Sequence, residues 1–465
     1  MLPPISRRQM LQRTACGFGA LAFHNLLQAA AAPTTPYTNG TAPKAKRVIF
    51  LFMQGGPSQI DLFDPKAFIN ERHGKSIDSP LRKEITQVGT EKFLALGTQA
   101  PVRPRGKSGM MISDLLPHLA TVADDICLLR GMNADNPQHA GATQQFHTGT
   151  FTEVRPSMGS WISYGLGTEN QNLPAFIAMV SQGTGKNPGP PVFSRLWGSG
   201  FLPTTFQGVP LRGSGDPILN LTNPAGVTAG RQRQALDAIR DLNVARAVET
   251  GDPEITTRIA SYEMASRMQS SAPELIDLSK ESAATLKLYG IENERPSFGR
   301  NCLLARRLIE RGSRFVQLYH TNWDSHGGPK ENLQSDFEER CREVDQAQAA
   351  LVQDLKARGL LKDTLVIWGG EFGRTPMGEN RVTTGRNHHI DAFTMWFAGG
   401  GTKAGAVIGE TDELGFNSVT DRAHVHDIHA TMLHLLGMDH TKLTFRFQGR
   451  DFRLTDVHGK LLKQM

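Results

Sequence analysis

The stretch Thr364–Gly378, "TLVIWGGEFGRTPMG", decides how the rest of the chain is read. An apolar run with β-branched and aromatic members stops at two glycines, and Glu371 and Arg374 follow at once. Its length and composition fit a strand covered on both faces, as in the parallel sheets of α/β proteins. Ligand sites in such sheets lie beyond the carboxyl ends of the strands, so a carboxylate delivered there is placed for chemistry. The plainer reading is a loop acid beside an arginine, an ion pair of small energetic value when exposed. The stretch alone leaves both open.

Outward from it the same pattern recurs. "RVIFLFMQGG" from Arg47, "ICLLRGM" from Ile126, "FIAMVS" from Phe176, "RFVQLYH" from Arg314 and "TMWFAGG" from Thr394 are short apolar runs followed by polar residues or glycine. Helical periodicity lies between them. Cys302, Leu304 and Leu308 share a face in "NCLLARRLIERG", and Val344, Leu351 and Leu355 recur before a stop at Gly359. Alternating strands and helices predict a three-layer α/β/α sandwich with a mostly parallel central sheet. Residues 182–290 depart from this pattern. They are rich in Gly and Pro at first, with "GTGKNPGPP" from Gly183 reading as surface loop, and helical from 229 onward. They read as an insertion on one main domain spanning 47–440, with Met264 and Met268 as packing residues. The tail, 441–465, alternates around a glycine and predicts a β-hairpin.

The first residues set the compartment. "SRRQMLQ" from Ser6 places paired arginines, Arg7 and Arg8, ahead of an apolar run ending in "LQAAAAP". This is the pattern of a twin-arginine export signal over residues 1–32, with 33–46 as a flexible lead-in. It predicts the twin-arginine translocase as a transient partner and a periplasmic or other extracytoplasmic location. That pathway carries folded proteins, which raises the expectation of a cofactor. The formal charge of +6 includes Arg7, Arg8 and Arg13 with no acid before residue 33, leaving about +3 afterwards by subtraction. Such a balance does not argue for nucleic-acid binding. Nor does any later run reach the roughly 18 apolar residues of a membrane span. Beyond Cys16, the cysteines are Cys127, Cys302 and Cys341, which imply no disulfide framework.

Four predicted strand ends carry polar groups. "HTNWDSHGG" offers His320, Asp324 and His326; "GGEFGR" offers Glu371; "GRNHHID" offers His388, His389 and Asp391; "QGGPSQIDLFDP" offers Ser58, Asp61 and Asp64. Imidazole nitrogen and carboxylate oxygen together suit Zn²⁺, Mn²⁺ or a similar ion. If the strands are parallel, all gather at one sheet edge, where two ions about 4 Å apart would clamp the attacking and leaving oxygens of an ester displacement. Any one of these pairs is as readily a surface or core feature.

In the order of its motifs the chain resembles the alkaline phosphatase superfamily, which includes phosphatases and sulfatases, and most closely its DUF1501 branch. "TLVIWGGEFGRTP" stands where that superfamily has a strand ending in a metal-binding Asp-His pair. "GRNHHIDAFTMWFAGGGTKAGAVIGETDELG" is similar to the segment carrying its last metal-binding histidine, and "HVHDIHATMLHLLGMD" to its closing helix, with Asp427 as N-cap. The chain also departs from the superfamily pattern. The first strand ends in Gln54 instead of a metal-binding Asp, Phe372 follows Glu371 where His is usual, and no sulfatase Cys-x-Pro-Ser-Arg sequence is present. At the nucleophile position, upstream of Thr148-Gly149, stands His139, with Thr143 and Ser58 as alternatives.

The resemblance implies an exported metal-dependent hydrolase of phosphate or sulfate esters, acting on an anionic substrate. Its expected metal ligands are Asp324, His326, Glu371, His388, His389 and Asp61, around one or more ions of Zn, Mn, Ca or Fe. His139, Ser58 and Arg374 are the expected catalytic residues. Arg374 would hold the anion with its planar fork, unless it pairs with Glu371 or Glu379 instead. The alternative is a non-catalytic envelope binding or scaffold protein that kept the fold. An oxidoreductase is weaker, because no G-x-G-x-x-G follows the first strand.

Overall fold

A computed structural model describes residues 36–77, 94–185, 192–212, 223, 226–293, 295–379, 381 and 383–465. The expected leader, the first residues of the lead-in and most of "GTGKNPGPP" lie outside the described residues.

The strands of the central sheet are β1 (Arg47–Met53), β2 (Ile126–Asn133), β3 (Phe176–Ser181), β4 (Val209–Leu211), β5 (Phe315–His320) and β6 (Thr364–Gly369). A hairpin separate from that sheet follows, β7 (Gly373–Gly378) with β8 (Arg386–His389), and then β9 (Phe393–Ala398), β10 (Val407–Ile408) and β11 (Ala423–His424). The sheet order is β10-β2-β9-β6-β1-β5-β3-β4, with β11 also beside β2. Only β9 runs against its neighbours β2 and β6; every other pairing is parallel. In β5 and β6 every residue is buried, as a sheet covered on both faces requires.

Two apolar layers cover it. Side chains alternate across each strand, so Ile49, Leu51, Leu318, Val366 and Trp368 face one cluster while Phe50, Phe52, Tyr319, Leu365 and Ile367 face the other. Helices α1 (His139–Thr148), α2 (Met158–Leu166) and α7 (Val425–Leu435) cover the second face, and α5 (Phe298–Glu310) and α6 (Asp336–Ala357) the first. Between them in sequence lie α3 (Ala229–Thr250) and α4 (Pro253–Ile276). α6 carries Asp336, Glu338 and Glu339 in its first turn and Lys356 in its last, which complements the helix dipole. The molecule is therefore a mixed, mostly parallel sheet between helical layers.

Several local expectations differ from what is seen. Residues 182–290 are not wholly an insertion, because β4 adds a parallel edge strand to the sheet. The described part of the lead-in is docked instead of loose: Ala45 is fully buried, and the N–H groups of Lys44 and Ala45 donate to the Leu435 carbonyl at the end of α7. Asp427 is not the cap of α7. His424 caps it, and Asp427, three residues on, accepts from the His424 N–H in a reciprocal capping box. In the tail, Phe445–Phe447 pairs antiparallel with Arg450–Phe452. Cys127, Cys302 and Cys341 are buried free thiols. Among the described residues no helix is long and apolar enough to cross a membrane.

Candidate metal centre

Because β1, β2, β5 and β6 run the same way, the loops after them leave one edge of the sheet, and β8 arrives at that edge just before the reversed strand β9. Four side chains from three of these places converge. His139 opens α1 after β2, Asp324 and His326 lie on the loop after β5, and His388 sits in β8. One ligand atom from each lies within 4.8 Å of the other three.

The loop after β5 is held by close backbone approach. Gly55, at φ +119°, lies so near this loop that a Cβ would come within 2.6 Å of the Asp324 nitrogen. Only glycine fits there. Asn322 adopts a left-handed φ of 73°, which Asn tolerates better than most side chains, and its amide donates to the Gly183 carbonyl.

Within the cluster Asp324 Oδ1 is the common neighbour. It lies 2.8 Å from His326 Nε2, 3.2 Å from His139 Nε2, 3.3 Å from His388 Nε2 and 2.5 Å from Arg374 Nη2. The far nitrogen of every imidazole is held from behind. His139 Nδ1 is 2.7 Å from Glu371 Oε1, His326 Nδ1 is 2.5 Å from Glu379 Oε1, and His388 Nδ1 is 2.7 Å from the Pro137 carbonyl. A carbonyl and carboxylates accept, so each Nδ1 presents a proton outward; His388, held neutral by burial, turns an Nε2 lone pair inward, while His139 Nε2 presents to Asp324 a proton that a bound cation would displace. His326 Nε2 and His388 Nε2 are 3.0 Å apart. Both nitrogens face the Asp324 oxygen, so the place between them suits a cation. Imidazoles backed by carboxylate or carbonyl acceptors are the usual support of metal-binding histidine.

The electrostatics agree with a site built for positive charge. Burial disfavours a charged His139, yet the carboxylates of Asp324 and Glu371 outweigh it and push the imidazole up to about 9. Burial drives His388 down to about 3, with Arg374 and His139 acting in the same sense against the Asp324 contact. Burial alone would raise Asp324, but Arg374 and the three histidines hold it well below the ordinary carboxylate range. Glu379 is likewise lowered against its burial by His326 and Arg381. The centre is not sealed, because the side chains of Asp324, His139 and His326 retain 21%, 16% and 13% of their exposure.

The other expected residues lie elsewhere or act differently. Glu371 is fully buried and one bond outside the cluster, its oxygens taken by the Gly55 N–H and His139 Nδ1. Arg374 is fully buried too, and its fork is spent on Asp324 and the carbonyls of Gly55, Gly56 and Arg386, so it has no donor free for an anion. Asp61 is locked against Arg386 through both oxygens, at 2.8 and 3.0 Å, and accepts the Ser58 hydroxyl at 2.5 Å. That removes Ser58 and Asp61 from the cluster. His389 points to the other side of β8, where Nε2 donates to the Phe416 carbonyl at 2.6 Å. The neighbours of a strand residue face away from it, and register pairs His388 with Arg374 but His389 with Gly373. His320 accepts from the Trp323 indole and meets Glu343. Asp64 pairs with Lys66 and Arg130, and Asp391 with Arg422. Glu379, expected only as a partner for Arg374, supports His326, and the Pro137 carbonyl carried no sequence signal at all.

Comparison with known proteins gives one family. The model of the family described as "Protein of unknown function (DUF1501)" matches residues 45–465. Among curated proteins none matches the sequence. The chain is similar to the solved PsFucS1 sulfatase from Pseudoalteromonas sp., at 14% identity over 90% of this chain and 71% of that one, with a TM-score of 0.34. It is similar to the C-terminal periplasmic domain of EcEptC from Escherichia coli, in complex with Zn, at 8% identity over 87% and 86%, with a TM-score of 0.35. A third likeness is to a protein in the alkaline phosphatase superfamily from Vibrio parahaemolyticus, at 13% identity over 89% and 74%, with a TM-score of 0.32. Similarities of this size carry no argument about activity.

Proposed function

Since the chain belongs to the DUF1501 family, whose description assigns no activity, we propose a function from the site itself: an exported, metal-dependent hydrolase of phosphate or sulfate esters. The observation that carries the proposal is the inward convergence of three imidazole Nε2 atoms and one carboxylate oxygen, with His326 and His388 Nε2 only 3.0 Å apart. His139, His326, His388 and Asp324 would hold a divalent ion of the Zn, Mn or Fe type, for which this donor set is suited. When bound, such an ion polarises an ester oxygen and acidifies a water.

The chain's own residues supply the rest. Glu371 and Glu379 orient His139 and His326 and keep their Nδ1 protons in place. Arg374 fixes Asp324 and balances its charge. Gln54 and Phe372 stand where the superfamily pattern has ligands, and Phe372 instead packs its ring 4.5 Å from that of His388 and 5.0 Å from that of His139. Ser58 and Arg374 are not offered as catalytic groups, because both are committed to internal hydrogen bonds. His139 serves as a ligand in this reading and not as a nucleophile. The attacking group is then a water at the exposed side of Asp324 and His139.

The test is elemental analysis of chain purified without metal-affinity tags or chelators, followed by assays on aryl phosphate and aryl sulfate esters. Bound transition metal with ester turnover that a chelator abolishes supports the proposal. Metal-free, folded protein would sink it. A second reading, a non-catalytic envelope protein, is favoured by the donor count: four protein ligands complete a tetrahedron, as structural metal sites do. Retained metal with no exchangeable water and no turnover on either ester class selects it. Export through Arg7 and Arg8 is part of the proposal. Replacing both by Lys should leave uncleaved precursor in the cytoplasm, and normal processing of that variant would remove the twin-arginine route.

A further inference from the structure

The geometry points to a centre that takes one divalent ion, with the guanidinium of Arg374 standing where a second ion would bind; this rests on the metal-binding reading above. Two-ion hydrolytic sites need a second set of oxygen or nitrogen donors about 4 Å from the first. Here a second set of oxygens does exist. The carbonyls of Gly55, Gly56 and Arg386 and the carboxylate of Asp324 turn toward one place beside the histidines. Backbone carbonyls and a carboxylate are hard donors of the kind that surround a bound cation. The cation they surround is the Arg374 side chain.

The guanidinium is fixed in that place. Its Nε donates to the Gly56 carbonyl at 2.9 Å, Nη1 to the Arg386 carbonyl at 3.1 Å, and Nη2 to the Gly55 carbonyl and to Asp324. The remaining Nη1 direction faces His326 Nε2 at 3.5 Å. All five donor directions are thus engaged, and the side chain is fully buried. Arginine does not lose its proton in proteins, so the charge is permanent.

Neighbouring acids leave no alternative bed for a second ion among the described residues. Glu371 is spent on Gly55 and His139, Glu379 on His326 and Arg381, and Asp61 on Arg386 and Ser58.

The deciding experiment strips the full exported chain with a chelator and titrates it with Zn²⁺, and separately with Mn²⁺, while native mass spectrometry counts bound ions. One ion per chain at saturation is expected, together with a single anomalous peak among His139, His326 and His388 in Mn²⁺-soaked crystals. Two ions, with a second peak in the Gly55–Gly56–Arg386 carbonyl cradle, would overturn this inference while leaving the metal-binding reading standing. No ion would overturn both. Arg374→Ser, which vacates the cradle, is expected to raise the count from one to two, whereas Arg374→Lys keeps it at one. A folded Arg374→Ser chain that still takes a single ion would show that the guanidinium does not hold the second place. Should Arg374→Ser fail to fold, the peak count in the unsubstituted chain decides alone.

Discussion

Two acids lie at the same edge of the sheet, one fully buried and one half-buried, each against an arginine, and they have come to opposite ends. Asp61 meets Arg386 through both oxygens, takes the Ser58 hydroxyl and the Gln99 N–H, and is wholly buried. Every acceptor it owns is answered by a donor. Asp324 meets Arg374 and also faces three imidazoles whose outer nitrogens are already committed, leaving three Nε2 atoms turned toward its own oxygen. Those nitrogens have only one another, the acid and Arg374 to meet. The residue types are similar, so the balance of donors and acceptors separates a structural clamp from a cation site. The clamp serves the site as well, because Arg386 lies in β8 two residues before His388.

This contrast breaks if the two acids respond alike to substitution. The largest effect on folding is expected from Asp61→Ala, which leaves the Arg386 guanidinium buried without its partner and should cost about 3–5 kcal/mol in denaturant unfolding. A loss below about 1 kcal/mol would show that Asp61 does not carry the clamp. His388→Ala, by contrast, removes an inward lone pair. It should lower zinc affinity on the order of 100-fold or more in competition titrations while costing the metal-free fold little. An equal loss of folding and affinity would make the histidine cluster merely another packing device.

Acid sensitivity sharpens the comparison with histidines outside the cluster. His147 and His429 each have one nitrogen bonded to a carbonyl, of Thr143 and of Phe146, and burial pushes them down to about 4 and about 3. In the unfolded chain both titrate near the ordinary value of about 6.5, so below that pH the unfolded state binds more protons. Stability from these two is therefore complete above pH 6.5 and lost as pH falls toward 4. Each contributes a slope of about 1.4 kcal/mol per pH unit in that window. Unfolding curves at pH 7, 6 and 5 measure it, and His429→Gln should flatten the dependence.

Smaller effects test the outer supports. Glu379→Gln keeps the shape but weakens the hold on the His326 Nδ1 proton, and should lower zinc affinity about 10- to 100-fold without changing its stoichiometry. Glu371→Gln should behave similarly; complete loss of metal in that variant would instead make Glu371 a direct ligand. The smallest change belongs to Ser58→Ala, which deletes one hydrogen bond from a pair already closed by Arg386 and should cost about 0.5–1.5 kcal/mol in stability with metal affinity unchanged. A change in metal affinity there would reconnect Ser58 to the centre.

The mostly parallel sheet was legible because apolar runs ending in glycine recur at strand length with helical periods between them, and a doubly covered strand cannot be written otherwise. The reversal of β9 was not legible, since "TMWFAGG" reads identically in either direction. The docking of Lys44 and Ala45 on α7 escaped for a related reason: a Pro- and Thr-rich lead-in has no period, and only contact with a distant helix end orders it.

At the site, composition supplied histidines and acids at strand ends but could not assign their partners. His388 and His389 are adjacent and alike in sequence; the register of β8 against β7 turns one inward and the other toward Phe416. Glu371 and Glu379 look equally available, and only proximity to His139 and His326 shows what each one holds. The sequence by itself therefore determined the layered sheet, the edge at which its polar loops gather, and the residue types offered there. Tertiary structure decided which lone pairs face one another and which are already answered, because a hydrogen-bond partner is fixed by position in space, and residues more than 180 apart in the chain, such as His139 and Asp324, meet only after folding.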